Sequence, residues 1–393
     1  MTLAVGVAQG RGPLSPILIE TQSSKGIFKG VVNDLAALSD SVQQLFKKME
    51  ARCNIKATKV ALSINGNYIN ARNSLAAMAL SERGTRSITR RDIDRLNLQA
   101  RTLGLELDEN LLHEFPQGYS IDQHNMTLNP LGLHGRKFEG NLLLICAKGG
   151  YIENITKAVE QAGVDVVHIV FSAVAASEAV LSPEEKQKGS ILIDIGDALT
   201  TVLIFKDGVV RKTSVLSFGG KNISEIISNY CKISLELADE IKESSIEISR
   251  EIPENEEIMI KTEDGYRPIR KKELIAIIQP ELDKFIAMLK SVIFESGAGG
   301  IAGVKVIVTG GLSLLEGLLE KMEYDLGLPV KMGIAKGPLD IPTSKSPAYA
   351  SAIGLLYLRR DDYQKDATLL RSQGRNKLAK VLDYITNLYQ DYF

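Results

Sequence analysis

Three stretches of the chain carry residue types that can handle an anion or a cation. The first is Asp194-Ile-Gly-Asp-Ala-Leu-Thr-Thr201, the turn of a hairpin between two β-branched runs, SILIDIG and TTVLIF. Outward-pointing turn N–H groups make a concavity for phosphate, and the leading Asp194 would hold a metal through water. An ordinary buried hairpin with a polar turn has the same residues. The second is Thr309-Gly-Gly-Leu-Ser313, where a strand is expected to run straight into a helix over 314–326. Gly310 and Gly311 would let the backbone approach a flat or anionic group, and a helix N-terminus favours phosphate or ribose. A plain strand-to-helix turn reads alike. The third is Asp239 with Lys242, one helical turn apart, which could grip a ribose and a base edge or form a solvated pair.

The elements that must position these residues follow from periodicity. Around the hairpin lie a third strand (209–218), the pair Gly219-Gly220, helices within 223–248 broken near Ser234, and a polar hairpin over 252–266. A long helix (271–297) kinked at Pro280 and a buried strand (304–308) complete that half. Upstream, the pattern gives strands at 2–7 and 17–22, and a helix over 33–52 capped by Asn33 or Asp34. A compact α+β unit is expected before Lys148: strand 59–66, a helix over 88–103 begun by Thr89 and Asp92, an edge or broken strand at 111–122 carrying Pro116, and strand 137–147. Helix 151–163, strand 164–172 and the small-residue helix 173–181 follow, then a linker over 183–189. Residues 347–358 form a helix with small residues on one side. The two halves thus share a plan of strands, helix, strands and a small-residue helix.

Composition bounds the function classes. The 393 residues include 47 basic and 48 acidic side chains, so no whole-molecule field draws in nucleic acid. Cys53, Cys146 and Cys231 are far apart and read as reduced core residues, and His113, His124, His134 and His168 form no ligand pattern, so no metal site is assigned from them. No apolar run reaches the roughly 18 residues of a bilayer span and no signal peptide is read, which places the chain in the cytoplasm as an expectation.

Taken together, these residues resemble the FtsA family of actin-like bacterial division proteins. The resemblance spans about Thr2 to Phe393 and rests on KGVVNDL (29–35), FPQGYSID (115–122) with NPLGLHG (129–135), FSAVAASEAVLSPEEKQKGSILIDIG (171–196), VIVTGGLSLLEGL (306–318) and PAYASAIGLLYL (347–358). It implies an α/β fold of two actin-type lobes, each a ribonuclease-H-like half, with an inserted α+β subdomain and a C-terminal amphipathic helix. The implied layout is a first lobe in 1–58, 149–186 and 331–358, the insert in 59–148, and a second lobe in 187–330 whose 242–290 portion faces FtsZ. Residues 359–375 would be a linker and 376–393 the membrane-targeting helix. Carried onto matching positions, Asp194, Gly196 and Thr200 form the second phosphate loop of an ATP-Mg site. Asp239, Lys242, Gly310, Gly311 and Ser313 line the adenosine side, and Gly219-Gly220 the cleft floor. Implied partners are the FtsZ C-terminal tail, further copies in a polymer, other division proteins and the cytoplasmic face of the membrane.

The departures fall where ATP would bind. The family's DIGGGTTD reads DIGDALTT here, so Asp197 and Ala198 replace glycines. A carboxylate aimed at a phosphate is repelled by about 4 kcal/mol at an effective dielectric near 20 unless a cation intervenes. The first phosphate loop has no equivalent. Either 2–22 aligns with the family's second and third strands and the first is absent, or TLAVGVAQGRG stands in its place with Ala8 at the aspartate position. Both alignments lack the metal-holding acid, and the sequence leaves open whether a start site lies upstream.

Beyond the polar stretch 359–375, residues 376–393 place Leu378, Val381, Leu382, Ile385, Leu388, Tyr389 and Tyr392 on one helical face, with Lys377 and Lys380 at its near end. Such a helix could lie in the interface of an anionic leaflet or dock on its own domain or a neighbouring subunit. The chain is read as a polymerising membrane anchor for FtsZ filaments with no catalytic residue assigned. The alternatives are an active Mg-ATPase or kinase of the same superfold, and a PilM-type pilus adaptor.

Overall fold

The computed structural model describes residues 1–6, 17–124, 126–248, 256–262 and 265–358. Ala8, the linker 359–375 and the seven apolar and two basic positions of 376–393 lie outside the described residues.

Chain order begins with an antiparallel pair, β1 (Thr2–Val5) and β2 (Leu18–Thr21), Val5 opposite Leu18. Helix α1 (Leu35–Cys53) starts where Asp34 accepts the Ala37 N–H at 3.0 Å, and its apolar face, Leu38, Val42, Leu45, Phe46 and Met49, is buried. Strand β3 (Lys59–Ile64) follows.

The insert contains β4 (Ile69–Ala79), α2 (Arg90–Gly104), β5 (Glu109–Ile121) and β6 (Lys137–Lys148), with sheet order β4-β6-β5. Helix α2 begins in a full capping box between Thr89 and Asp92, as the sequence signals. Bidentate bonds from Arg86, both 2.7 Å, hold the Asp92 carboxyl far below the usual carboxylate range. Strand β5 is an edge strand that continues through Pro116. A register shift beside it bulges Gln117, whose amide donates to the Val210 carbonyl at 2.8 Å. Strand β4 has a polar, alanine-rich sequence with no strand signature, and its pairing with β6 from Ile69↔Ala147 to Ala79↔Lys137 overrides that composition.

Next come α3 (Gly149–Gln161), β7 (Asp165–Phe171), α4 (Ser172–Val180) and α5 (Pro183–Lys188). Strand β3 pairs in parallel with β7 and stands apart from the β4-β6-β5 sheet. One expectation changes here. Residues 183–188 are a short helix rather than a linker, because Ser182 and Glu185 make a capping box ahead of Pro183 at the first helical position.

The second lobe holds β8 (Ser190–Ile195), β9 (Thr200–Lys206), β10 (Val209–Leu216), α6 (Gly220–Cys231) and α7 (Leu235–Ser245). It continues through the hairpin β11 (Glu257–Thr262) and β12 (Gly265–Arg270), α8 (Lys271–Glu295), β13 (Lys305–Thr309), α9 (Leu318–Leu326) and β14 (Val330–Met332). Its sheet is five-stranded, β10-β9-β8-β13-β14. Ser234 caps α7 at the expected break, and Pro280 sits inside an unbroken α8. The helix expected from Leu314 begins only at Leu318: Gly311–Leu314 is a 3-10 turn, and Gly317, at φ 78°, seats its Cα against the Ile248 carbonyl where no Cβ fits. A last helix, α10 (350–358), returns the chain to the first lobe, where Gly354 packs on the Ala175 carbonyl of α4.

Candidate functional site

Strands β8 and β13 run parallel and finish together, Asp194 opposite Thr309, and the crevice beyond such carboxyl ends is where open α/β sheets hold ligands. Asp194 is half-buried there, and burial pushes its carboxyl up to about 6. The turn after it closes tightly, the Gly196 N–H reaching the Leu199 carbonyl at 2.9 Å. Both turn carbonyls then accept from the start of α6: Gly220 N–H to Gly196 at 3.0 Å and Lys221 N–H to Asp197 at 2.7 Å. Gly219 lies so close to this turn that a Cβ would meet the Asp197 carbonyl oxygen at 2.4 Å. The glycine pair therefore locks the hairpin turn onto α6. The Thr200 hydroxyl is buried and donates to the Phe218 carbonyl at 2.8 Å, so its proton is committed within the protein.

On the opposite wall, Gly310 has φ 88° and presses against both the Ile195 carbonyl and the Asp194 carboxylate, at positions where a Cβ would sit 2.3 and 2.7 Å away. Its N–H and the Thr309 hydroxyl both donate to the Pro347 carbonyl at 3.0 Å, which ties the second lobe to the returning chain. The Ser313 hydroxyl folds back on the Gly310 carbonyl at 2.7 Å. Gly311 faces open space. Below, Lys242 is 8% exposed and its ammonium donates to Asp239 at 2.6 Å, Ser224 at 2.8 Å and the Gly220 carbonyl at 3.3 Å. That is a buried cation beside the α6 N-terminus, not a solvated pair. Ser224 also bonds Asp239 directly, and nothing in its own sequence surroundings signals this role. The packing of α6 on α7 creates it.

Asp194, Gly196, Gly219, Gly220 and Gly310 thus meet at the end of β8, with the Lys242 and Asp239 pair beside the start of α6. Sequence reasoning does not reach Asn65, which follows β3 and crosses from the first lobe to donate to the Thr201 hydroxyl at 2.9 Å. Gly311 leaves room for a nucleoside and Asp194 is a carboxylate that would gain from a cation, while the Lys242 ammonium is already engaged by three acceptors within the protein. The Asp197 turn supplies a further acid toward any phosphate.

A family description, "Cell division protein FtsA", matches residues 191–354, and a second, "SHS2 domain inserted in FTSA", matches 66–146, together more than half of the chain. The Pseudomonas aeruginosa "Cell division protein FtsA" is 27% identical over 359 residues, covering 90% of this chain and 85% of that protein. The Escherichia coli K12 protein of the same description is 25% identical over 373 residues, covering 91% and 87%. A chain of the solved "PilM-PilN type IV pilus biogenesis complex" superposes with a TM-score of 0.62 at 15% identity, covering 90% of this chain and 94% of its own, a likeness of fold alone. The two-lobed actin-like plan, the SHS2 insert after β3 and the relatives spanning most of the length agree, and the chain belongs to the FtsA cell-division family.

Proposed function

We propose that this protein is a scaffold of the division machinery. It self-associates as an actin-like polymer, docks the C-terminal tail of FtsZ on its second lobe, recruits other division proteins and rests on the cytoplasmic face of the membrane through residues 376–393. In this reading the first lobe comprises 1–64, 149–186 and 331–358, the insert 65–148, and the second lobe 187–330. In this reading Asp194, Gly196, Thr200, Gly219, Gly220, Asp239, Lys242, Gly310, Gly311 and Ser313 would line a site for ATP with Mg in the cleft. Among the described residues no helix is long and apolar enough to cross a membrane.

The observation that carries the partner assignment is a groove of about 1050 Å³ between α8 and α9, lined by Ile248, Ile286, Ala287, Lys290, Lys321 and Tyr324 among others. It lies on the segment that the family resemblance assigns to FtsZ. Its apolar floor is rimmed by Glu247, Asp283, Glu316, Glu320 and Asp325 as well as Lys290 and Lys321, and Lys321 is already paired with Asp283 at 2.5 Å and Asp325 at 2.9 Å, so the groove suits a short peptide that buries a few apolar side chains and carries basic rather than acidic residues. Fluorescence anisotropy with a labelled FtsZ tail peptide tests this. Ala287→Arg, at an exposed position of α8, should weaken binding at least about tenfold. No binding by the unmutated chain would overturn the assignment. Deletion of 376–393 should abolish co-sedimentation with anionic vesicles, and unchanged co-sedimentation would remove the tether.

A further inference from the structure

Residues 126–135, between β5 and β6, carry no Asp, Glu, Lys or Arg, yet four of their apolar side chains, Met126, Leu128, Leu131 and Leu133, are exposed. Leu131 and Leu133 flank Gly132, which has φ 82° and open space where a Cβ would sit. The backbone of this turn is pinned. Gly132 N–H donates to the Ile88 carbonyl at 3.0 Å, Ile88 N–H to the Leu133 carbonyl at 2.8 Å, and Leu133 N–H to the Pro130 carbonyl at 3.1 Å. Two leucines held outward on a fixed turn cannot fold back into the core, and at 52% and 46% exposure Leu131 and Leu133 keep about half of their surface in water. Clustered apolar side chains in water mark a contact surface.

Cations without counter-charges surround the turn. The ladder of Arg86–Ser87 with His134–Gly135, and the bond from Leu80 N–H to the Arg136 carbonyl at 2.7 Å, bring 80–91 beside it. Most acids at this end of the insert are engaged. Asp92 takes Arg86, Asp122 takes the backbone N–H groups of Arg136 and Lys137, Glu139 takes Lys137 at 2.5 Å, and Asp94 lies 3.8 Å from Arg90. Arg83, Arg91 and Arg136 are exposed and have no ion-pair partner among the described residues, and only Glu82 is left in 80–95 and 122–139 to oppose them.

We propose that this end of the insert rests on an anionic lipid leaflet, with Leu131 and Leu133 entering the headgroup layer and Arg83, Arg91 and Arg136 meeting lipid phosphates. Charge complementarity selects an anionic partner, and shape selects a bilayer. The surface is a protruding turn on which Gly84 and Gly132 both face open space, and its backbone groups bond one another, so it presents a peptide with no free strand edge. A leaflet needs only apolar tips with cations beside them. This contact is distinct from the helix proposed for 376–393. Each arginine contributes about fivefold to binding, so the turn alone is a weak anchor and acts once another attachment has brought the leaflet close.

The chain has no tryptophan, so Leu133→Trp places a lone reporter on the turn. Its emission is read on vesicles of brominated phosphatidylcholine, with and without phosphatidylglycerol, because the bromines quench a tryptophan that enters the bilayer. To separate this contact from the one proposed for 376–393, the reading is taken on the 393-residue chain and again with 376–393 replaced by a polyhistidine tag held by a nickel-chelating lipid. In the tagged chain phosphatidylglycerol should lower the emission by about half or more. Arg83→Gln, Arg91→Gln and Arg136→Gln together should restore it, with the urea-unfolding midpoint unchanged. In the 393-residue chain the same three substitutions should weaken binding to phosphatidylglycerol vesicles at least about tenfold. Emission in the tagged chain that ignores phosphatidylglycerol, or ignores the three substitutions, overturns the proposal. Quenching in the tagged chain without vesicle binding by the 393-residue chain supports this contact and removes the tail instead. An emission shift with protein concentration in the absence of lipid, and none on vesicles, overturns the leaflet in favour of a second copy. A shift on adding polyglutamate, and none on vesicles, overturns it in favour of an acidic protein segment.

Discussion

In the second lobe, Ile191, Leu192 and Ile193 of β8 are completely buried at the centre of five strands, whereas β1 in the first lobe is only half-buried along its whole length. Both lobes have the same pairing directions, a covering helix on each face and a small-residue helix packed beneath. A strand hydrogen-bonded on both edges needs no water, while residues of β1 and β3 line one cavity of about 640 Å³. The second lobe therefore holds its cleft residues on a tightly packed sheet, and the first lobe reaches the cleft through Asn65.

The sharpest way to break this contrast is to truncate matched core residues. Ile193→Ala, at the centre of β8, should cost about 3–4 kcal/mol in urea unfolding, because a buried cavity opens in a tight sheet. Leu3→Ala, beside an existing void, should cost under about 1 kcal/mol. Equal costs would mean the first-lobe sheet is as well packed as the second.

A second measurement sharpens it at the cleft. Burial raises the Asp194 carboxyl from 3.8 to about 6, so the folded state binds its proton more tightly than the unfolded chain. The contribution to stability is full below pH 3.8 and is lost as pH rises through about 6. Asp194→Asn should therefore stabilise the unliganded protein by on the order of 3 kcal/mol near neutral pH and by nothing below about pH 4. A pH-independent effect in thermal unfolding would show that burial does not control this group.

Third, the Lys242 and Asp239 pair should respond unequally. Asp239→Ala leaves a buried ammonium with only Ser224 and a carbonyl, and should cost about 2 kcal/mol, less than for a fully enclosed pair because the Asp239 side chain is 43% exposed. Lys242→Met leaves an acid that can reach water, and should cost less than about 1 kcal/mol. A comparably small effect is expected from Gln117→Ala, which removes the side chain's bonds to Val210 and Arg211 of β10 and should cost about 1 kcal/mol. No change in unfolding midpoint would mean that the bulge does not brace the insert on the second lobe.

Much of this architecture could be read from local pattern. The Asp34 cap, the Thr89 and Asp92 capping box, the 190–206 hairpin and the Ser234 break all stand where their residues place them, since each depends on neighbours within a few positions. Strand β4 escaped because Asn, Ala and Arg carry no strand signal of their own. Helix α5 escaped because a charged six-residue run looks like a linker unless its capping box is weighed. The late start of α9 follows from Gly317 meeting the Ile248 carbonyl, a contact between residues far apart in the chain. For the cleft, type and spacing left Asp194, the glycines and Lys242 open between a ligand site and ordinary turns or a solvated pair, and the resemblance carried the assignment. The commitments of Thr200 to Phe218 and of Ser313 to Gly310 were not legible.

By itself, then, the amino-acid order determined the elements whose stabilising contacts are local, the shared plan of the two halves and the residue types gathered for a ligand. Tertiary structure alone decided that β3 pairs with β7, that Lys242 is buried, and that residues of β1 and β3 line one cavity of about 640 Å³. The physical reason is that ladders, burial and close glycine contacts join segments distant in sequence, and their energies exist only once those segments have met.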